Sequence, residues 1–458
     1  MLAQEFHSLM DRAWEPVFGQ ARTRRRAIEH AMALGCTLGR RTISRTICAL
    51  DRADKDWSAD YKIFSRSKWE AASLFDPVIE EYLERYPQGY IRIAFDDTAV
   101  GKTGKKIKSA FWQRDHMSPQ FRVNFLWGLR FVQASMLFGH WKEGNFSARA
   151  VPVGFQEAPA VKKPGKRASE EQMKQYRAAR KEQNLSTQTL EMLRGLRVRL
   201  DQKGAAGRIL LGAFDGAFCN RSFFKAQLDR TELIARCRKD ARLCFEAEQG
   251  SRRKYDQHLF TPQQVREDKS RTFQRIKVHF GGKRRRVRCK EVRDVLWRRG
   301  AGKKRLRLIV IAPVPYKLSR HSRTNYRQPA YLLTTDLRCG LKPLLQAYFD
   351  RWQIEVNHRD EKTLFGVGQA QVRSNLSVPR HPAFAAASYS MLLLAALRCF
   401  GPGRTSDYLD LPKWRKMSNR ASCLDLLSLL RSDLNNETPV SAFVSENLAK
   451  RLMLSADT

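Results

Sequence analysis

Three apolar extended segments follow one another between residues 90 and 155, and this succession restricts the fold more than any other feature. They are YIRIAFDD (90–97), FRVNFLWGLRFVQASMLF (121–138) and SARAVPVGF (147–155). In each, polar residues interrupt apolar and aromatic ones at short intervals, the pattern of strands, and Gly128 or Gly139 provides a place to bend. A solvated linker, VKKPGKR (161–167), leads into a long helix. Ser169 followed by Glu170 and Glu171 marks its start, and Leu190, Leu193, Leu196 and Leu200 give it an apolar stripe. A fourth strand RILLGAFD, a helix NRSFFKAQL and a strand ELIARC come next. The order β-β-β-α-β-α implies a mixed α/β (α+β) core built on one sheet.

The flanks read differently. Residues 1–86 are mainly helical, and RTRRRAIEHAMALGCTLGRRTISRTICAL suggests two helices about the turn Gly35–Gly39. Arg40, Arg41 and Arg45 are expected to project from the second. This is either a helix-turn-helix-like arrangement for DNA or a plain helical hairpin with a basic face. Trp57, Tyr61, Arg66 and Trp69 suit DNA backbone contact and inter-helix packing equally. The interval from Asp215 to Glu355 spans 140 residues, too long for one loop. Within it, FQRIKVHF and KRRRVRCKEV flank Gly281-Gly282 as a hairpin, with RLRLIVIAPV and AYLLTTDL as further strands.

Charge defines the partner. The formal net charge is +39, from 85 Lys/Arg against 46 acidic residues, an excess that predicts a polyanion. Residues 271–307 alone hold 16 Lys/Arg against Glu291 and Asp294. Such a block repels itself without counter-ions, so DNA backbone contact is the stronger reading, with Arg284, Arg285 and Arg286 at its centre. Lys102, Lys105, Lys106 and Lys108 extend the field beside Asp97. A membrane partner is not expected, because no segment shows the roughly 18–20 apolar residues of a span. No signal peptide is apparent at the N-terminus. The nine cysteines lack any C-x2-C pair and read as reduced thiols of a cytosolic protein, not as a zinc site.

Three carboxylates carry the chemistry. Asp97 is expected at the end of a strand opening into a Thr-Ala-Val-Gly loop, and Asp215 at a strand end before Gly216. Asp96 is expected on the opposite sheet face from Asp97. Glu355 lies in YFDRWQIEVNHRDEK (348–362). There Tyr348, Arg351, Glu355 and Lys362 are spaced by 3, 4 and 7, which places them along one broad face of a helix expected over 342–365. Phe349, Trp352, Ile354 and Val356 are then available to bury it. A carboxylate flanked by a guanidinium and an ammonium suits metal and phosphate together, the cations taking phosphate oxygens. An ordinary surface helix with ion pairs is the alternative.

This stretch resembles the Y-x2-R-x3-E-x6-K signature of bacterial insertion-sequence transposases of the DDE, ribonuclease-H-like superfamily. Asp97 and Asp215 stand in the expected chain order, and the D-T pairing at Asp97-Thr98 matches the family. The resemblance spans roughly residues 90–400. It implies a ribonuclease-H-like core (87–236 and 336–400) interrupted by a β-rich basic insertion (237–335). A helical DNA-binding region (1–86) and a helical C-terminal region (401–458) would flank that core. It further implies cut-and-paste transposition with two Mg2+ ions per site, Mn2+ serving as a substitute, held by Asp97, Asp215 and Glu355. Tyr348, Arg351 and Lys362 would hold phosphates near the transferred end. Trp297 occupies the place of an aromatic that stacks on a flipped base in relatives, with hairpin packing as the alternative. The partners implied are double-stranded DNA, both terminal inverted repeats and target, and a second copy of the chain on that DNA. The location implied is the bacterial cytoplasm, nucleoid-associated when bound. A nuclease of the same fold that cuts without joining, and a domesticated DNA-binding protein, are the rival readings.

Overall fold

The structure is a computed structural model that describes residues 1–435 apart from 116, 117, 120, 143, 144, 320, 416 and 417; the rest of the expected C-terminal region, 436–458, lies outside the described residues. Its helices are α1 (Leu2–Ala13), α2 (Ala21–Cys36), α3 (Ile43–Ala49), α4 (Ser58–Ser65), α5 (Asp76–Arg85), α6 (Glu170–Glu182) and α7 (Leu185–Leu200). Then come α8 (Arg221–Lys225), α9 (Pro262–Glu267), α10 (Leu341–Asp350), α11 (Gln353–Leu364), α12 (Ser377–Phe400) and α13 (Cys423–Asn435). The strands are β1 (Ile91–Gly101), β2 (Phe111–Arg114), β3 (Phe125–Lys142), β4 (Asn145–Glu157), β5 (Leu210–Phe214) and β6 (Thr231–Arg236). They continue with β7 (Gln274–Phe280), β8 (Lys283–Leu296), β9 (Arg305–Ile311), β10 (Pro315–Tyr316), β11 (Asn325–Tyr326) and β12 (Ala330–Thr334). The fold is thus mixed α/β. The chain forms two compact units, one of Met1–Pro87, Asp97–Gln188 and the chain from Gln353 onward, the other of Gln88–Asp96 and Thr189–Trp352.

The first unit is organised by α12, against which α1, α2, α4, α5 and β4 pack. Contrary to the expectation from sequence, this helix is long and apolar enough to cross a membrane, yet 83% of its apolar window is buried inside the protein. Its serines explain how a core helix tolerates hydroxyls. Ser388 Oγ donates to Phe384 O, and Ser390 Oγ reaches both Ala386 O and Pro152 O of β4. Trp14 is fully buried, its ring against Phe384 and its Nε1 donating to Leu74 O. The N-terminal helices are pinned by Asp60, which accepts from His30 at 2.8 Å and from Arg52 at 3.1 Å. Antiparallel β2, β3 and β4 form this unit's sheet, with the far half of β1 beside β3. Gly128 serves this close approach, since a Cβ there would lie 2.2 Å from Val100 O.

In the second unit β1, β5 and β6 are parallel, and β12, β9, β8 and β7 follow antiparallel in that order. Helix α10 covers this sheet, with Leu344, Leu345 and Ala347 in a core that includes Leu211, Ile234, Val278, Ile309 and Leu332. The β7–β8 hairpin turns where expected, Gly281 and Gly282 both having positive φ (59° and 69°).

Two expected helices are each divided. Ser169 begins α6 with a full capping box to Gln172, as its sequence implies, but that helix ends at Glu182. Asn184 causes the break: its side chain donates to Lys181 O and accepts from Thr187 N, closing one helix and opening the next. The helix expected over 342–365 is α10 and α11, separated at Arg351 and Trp352. Trp352 is 58% exposed and buries nothing, unlike Ile354, which is fully buried.

Candidate active site

Apolar residues carry β1 up to its carboxylates: Ile91, Ile93, Ala94 and Phe95 are fully buried, and Asp96 and Asp97 are half-buried. Asp97 does not end the strand. Thr98–Gly101, expected as a loop, continue β1, because Val100 and Gly101 run beside β3. Within the first unit Asp97 lies in the field of two cations. Burial lowers the pKa of Arg130 on β3 and that of Lys362 on α11, and Asp97 opposes the shift in both. Glu361 and Asp115 also support the charged form of Lys362. Arg130 was not legible as a site residue, sitting unmarked in an apolar strand; it donates to Ala158 O at 3.2 Å and stacks over Phe111.

Glu355 occupies the first turn of α11, where the helix dipole favours an anion. A buried polar network fixes this helix. Asn357 donates to Ser135 Oγ at 3.1 Å, next to a β-bulge at Ala134/Ser135, and accepts from Tyr389 OH at 3.3 Å. Gln133 also donates to Ser135 Oγ. Glu361, fully buried, has its pKa pushed up to about 8 by burial, against the opposing hydrogen bond from Gln133 and the charge of Lys362. The folded protein therefore holds a proton on Glu361 that the unfolded chain gives up. Stability attributed to this residue falls as pH rises from roughly 5 to about 8. Glu361→Gln is expected to flatten the fall in Tm across that range; an unchanged pH profile would show that Glu361 is already ionised in the folded state.

In the second unit Asp215 follows the fully buried strand β5, and its Oδ1 accepts from Ala217 N at 2.9 Å. Tyr348 of α10 lies within electrostatic reach. Burial raises its pKa, Arg351 and Arg236 pull it back, and Asp215 adds to the rise. Arg236, at the end of β6, is a second cation that sequence did not single out. Arg351 Nη1 donates to Asp96 Oδ2 at 3.2 Å, both side chains largely buried. Asp96 is therefore an internal partner of Arg351.

Helix α10 is tied to the edge strand β7 by Gln346. Its amide accepts from His279 N and donates to His279 O, both at 2.9 Å, and donates to Asp350 at 2.8 Å. Asp350 is buried, and its pKa is pushed up to about 7 by burial, with Arg92 and Gln346 opposing.

Several expected DNA contacts are placed otherwise. Arg41 is buried and does not project: its guanidinium donates to Leu34 O, Gly39 O and Thr363 O, holding the C-terminal end of α11. Arg40 and Arg45 are exposed, Arg40 preceding α3 and Arg45 on it. On β8, Val287 and Cys289 face the core, so Arg285 shares their side and stacks over Phe280 at 5.0 Å, while Arg284 and Arg286 face solvent. Lys290, on the same side of β8 as Arg284 and Arg286, is nonetheless buried and caps α9 through Val265 O, Arg266 O and Asp268 O. Trp297 packs: its ring meets Phe224 edge-on at 5.7 Å and leaves no room for a Cβ at Gly300. Lys105 is exposed, whereas Lys102 donates to Gly368 O and Ala370 O and burial lowers its pKa to about 8.

Carboxylate oxygens are the donors that Mg2+ takes. Among the described residues, however, no three His, Cys, Asp or Glu side chains are grouped to hold a metal ion. Asp97 and Glu355 belong to one unit and Asp215 to the other.

No protein-family model matches the chain. No curated protein matches it either. Among solved structures, a piggyBac transposase synaptic complex with hairpin DNA is similar at 10% identity and a TM-score of 0.38, over 93% of this chain and 72% of that one. At that score the likeness assigns neither fold nor function to this chain.

Proposed function

We propose that the chain is a DDE transposase of an insertion sequence, with a ribonuclease-H-like core. On this reading it binds the element's terminal repeats, cleaves the DNA and joins the freed ends to target DNA. The observation that carries the reading is Asp97 in the field of Arg130 and Lys362, with Glu355 on the same helix as Lys362. Carboxylates with cations beside them suit a phosphodiester better than a neutral substrate. The net charge of +39 supports a nucleic-acid partner.

Asp97, Asp215 and Glu355 would hold the Mg2+ pair. Bound there, the pair supplies Lewis-acid activation of the attacking hydroxyl and charge stabilisation at the leaving oxygen. Lys362 and Arg130 would orient phosphate oxygens near Asp97, and Arg351 and Arg236 would do so near Asp215. Binding phosphate requires Arg351 to share or leave Asp96. A dimer acting on two synapsed ends fits chemistry that must be coordinated at both termini.

Strand transfer from pre-cut element ends is the test, because a nuclease that only cuts does not join them. Joined product supports the reading; metal-dependent cleavage without joining replaces it with a nuclease, and DNA binding with neither replaces it with a binding protein. The basic hairpin gives a separate expectation. Arg284→Glu with Arg286→Glu should lower DNA affinity and flatten its salt dependence, each lost phosphate contact removing about 0.9 from the slope of log K against log salt. Arg285→Ala should leave that slope nearly unchanged, since its guanidinium packs on Phe280. Equal slopes in all three proteins would place the hairpin away from DNA.

A further inference from the structure

Strand β2, the start of β3 and the segment between them carry large aromatic side chains that the fold leaves in solvent. Trp112 is 67% exposed, Phe125 65% and Phe121 92%. The register explains why the first two share a face. Trp112 lies opposite Trp127 and Arg114 opposite Phe125, so these four side chains point the same way. The intervening residues point the other way: Gln113 donates to Leu129 O, and Phe111 lies under Arg130. The two tryptophan rings are 5.6 Å apart at 59°, and Trp127 Nε1 donates to Gly104 O, which ties the lysine-bearing loop to the rim of the face. Lys105, Lys106, Lys108, Arg114 and Arg122 are all exposed. Between residues 102 and 127 there are six Lys/Arg against a single acid, Asp115.

We infer that this β2–β3 face is a stacking platform for unpaired nucleotides of a single-stranded nucleic acid. Exposed flat rings offer nothing to the sides of a duplex, whose base faces are already stacked, but any unpaired base can lie on them. The surrounding cations complement a phosphate backbone and disfavour a neutral apolar partner. Trp112 and Trp127 point away from the side of β3 that carries Arg130, and the test reads binding, so the inference does not depend on cleavage activity. An enzyme that opens DNA ends would have a use for it.

The test uses the full chain and a fluorescein-labelled oligothymidylate, with a blunt duplex of equal length and inorganic polyphosphate as the comparison ligands. Trp112→Ala with Phe125→Ala should weaken oligothymidylate binding about tenfold or more and leave duplex and polyphosphate binding unchanged. Trp112→Phe should retain most of the affinity, and Arg114→Gln should lower the salt dependence for all three ligands. Equal loss for all ligands on removing the aromatics would overturn the proposal in favour of a general cationic surface. No loss for any would leave the rings to a protein partner. Photo-crosslinking of bromouracil-containing oligonucleotide to the wild-type chain requires no variant to fold. Adducts at Trp112, Phe125 or Trp127 support the platform, and adducts confined elsewhere overturn it.

Discussion

Asp97→Ala, Asp215→Ala and Glu355→Ala are each expected to abolish cleavage and joining while leaving element-end DNA binding nearly intact. On the proposed reading each removes one carboxylate from a metal-holding set in which none would be redundant, and none removes a positive charge that binding needs. The structure makes Asp96→Ala the informative control. Asp96 pairs with Arg351, so its loss should release that arginine and alter affinity or rate without erasing activity. Activity retained in Asp97→Ala and lost in Asp96→Ala would exchange the two roles. End-labelled DNA on a denaturing gel reads cleavage, and a mobility shift reads binding.

The second large effect concerns the scaffold under the carboxylates. Phe95 and Phe214, the residues one or two positions ahead of Asp96, Asp97 and Asp215, are fully buried and stacked at 4.9 Å with their planes 12° apart. Phe214 also packs on Phe218 and Phe223. Phe214→Ala is expected to cost roughly 3–5 kcal/mol of stability, the range for truncating a buried phenylalanine. Urea unfolding followed by circular dichroism measures it. A loss near 1 kcal/mol would mean that the strand ends are held by their backbone pairing and not by this ring pair.

Much of the fold was legible because local signals agreed with tertiary demands. YIRIAFDD is a strand, RILLGAFD and ELIARC become β5 and β6, and Gly281-Gly282 turns the hairpin. Where the signal was ambiguous, packing decided. The face of Tyr348, Arg351, Glu355 and Lys362 reads as one helix because no Gly or Pro interrupts it, yet the chain breaks at Arg351. The apolar richness of α12 looks diluted by Ser388, Tyr389 and Ser390; Ser388 bonds back to Phe384 O in its own helix, while Tyr389 and Ser390 reach Asn357 and Pro152 in the folded core. Arg41 and Lys290 look like surface cations and instead cap helix ends, a role set by carbonyls distant in sequence. Arg285 was open to a better reading: alternation with Val287 and Cys289 already placed it on the inner side. For the candidate site, the acidic residues and signature cations were nameable, but Arg130, Arg236 and the Asn357–Ser135 network were not, since nothing in their local sequence distinguishes them from core polar residues.

Manganese binding to the full chain, followed by electron paramagnetic resonance in the presence of element-end DNA, decides whether Asp97, Asp215 and Glu355 act together as metal donors. About two Mn2+ ions per protomer are expected in the wild type. Asp97→Ala, Asp215→Ala and Glu355→Ala should each lose Mn2+, although Asp215 lies in a different unit from the other two. Wild-type Mn2+ binding retained in Asp215→Ala, or no DNA-dependent Mn2+ binding at all, would contradict that joint role.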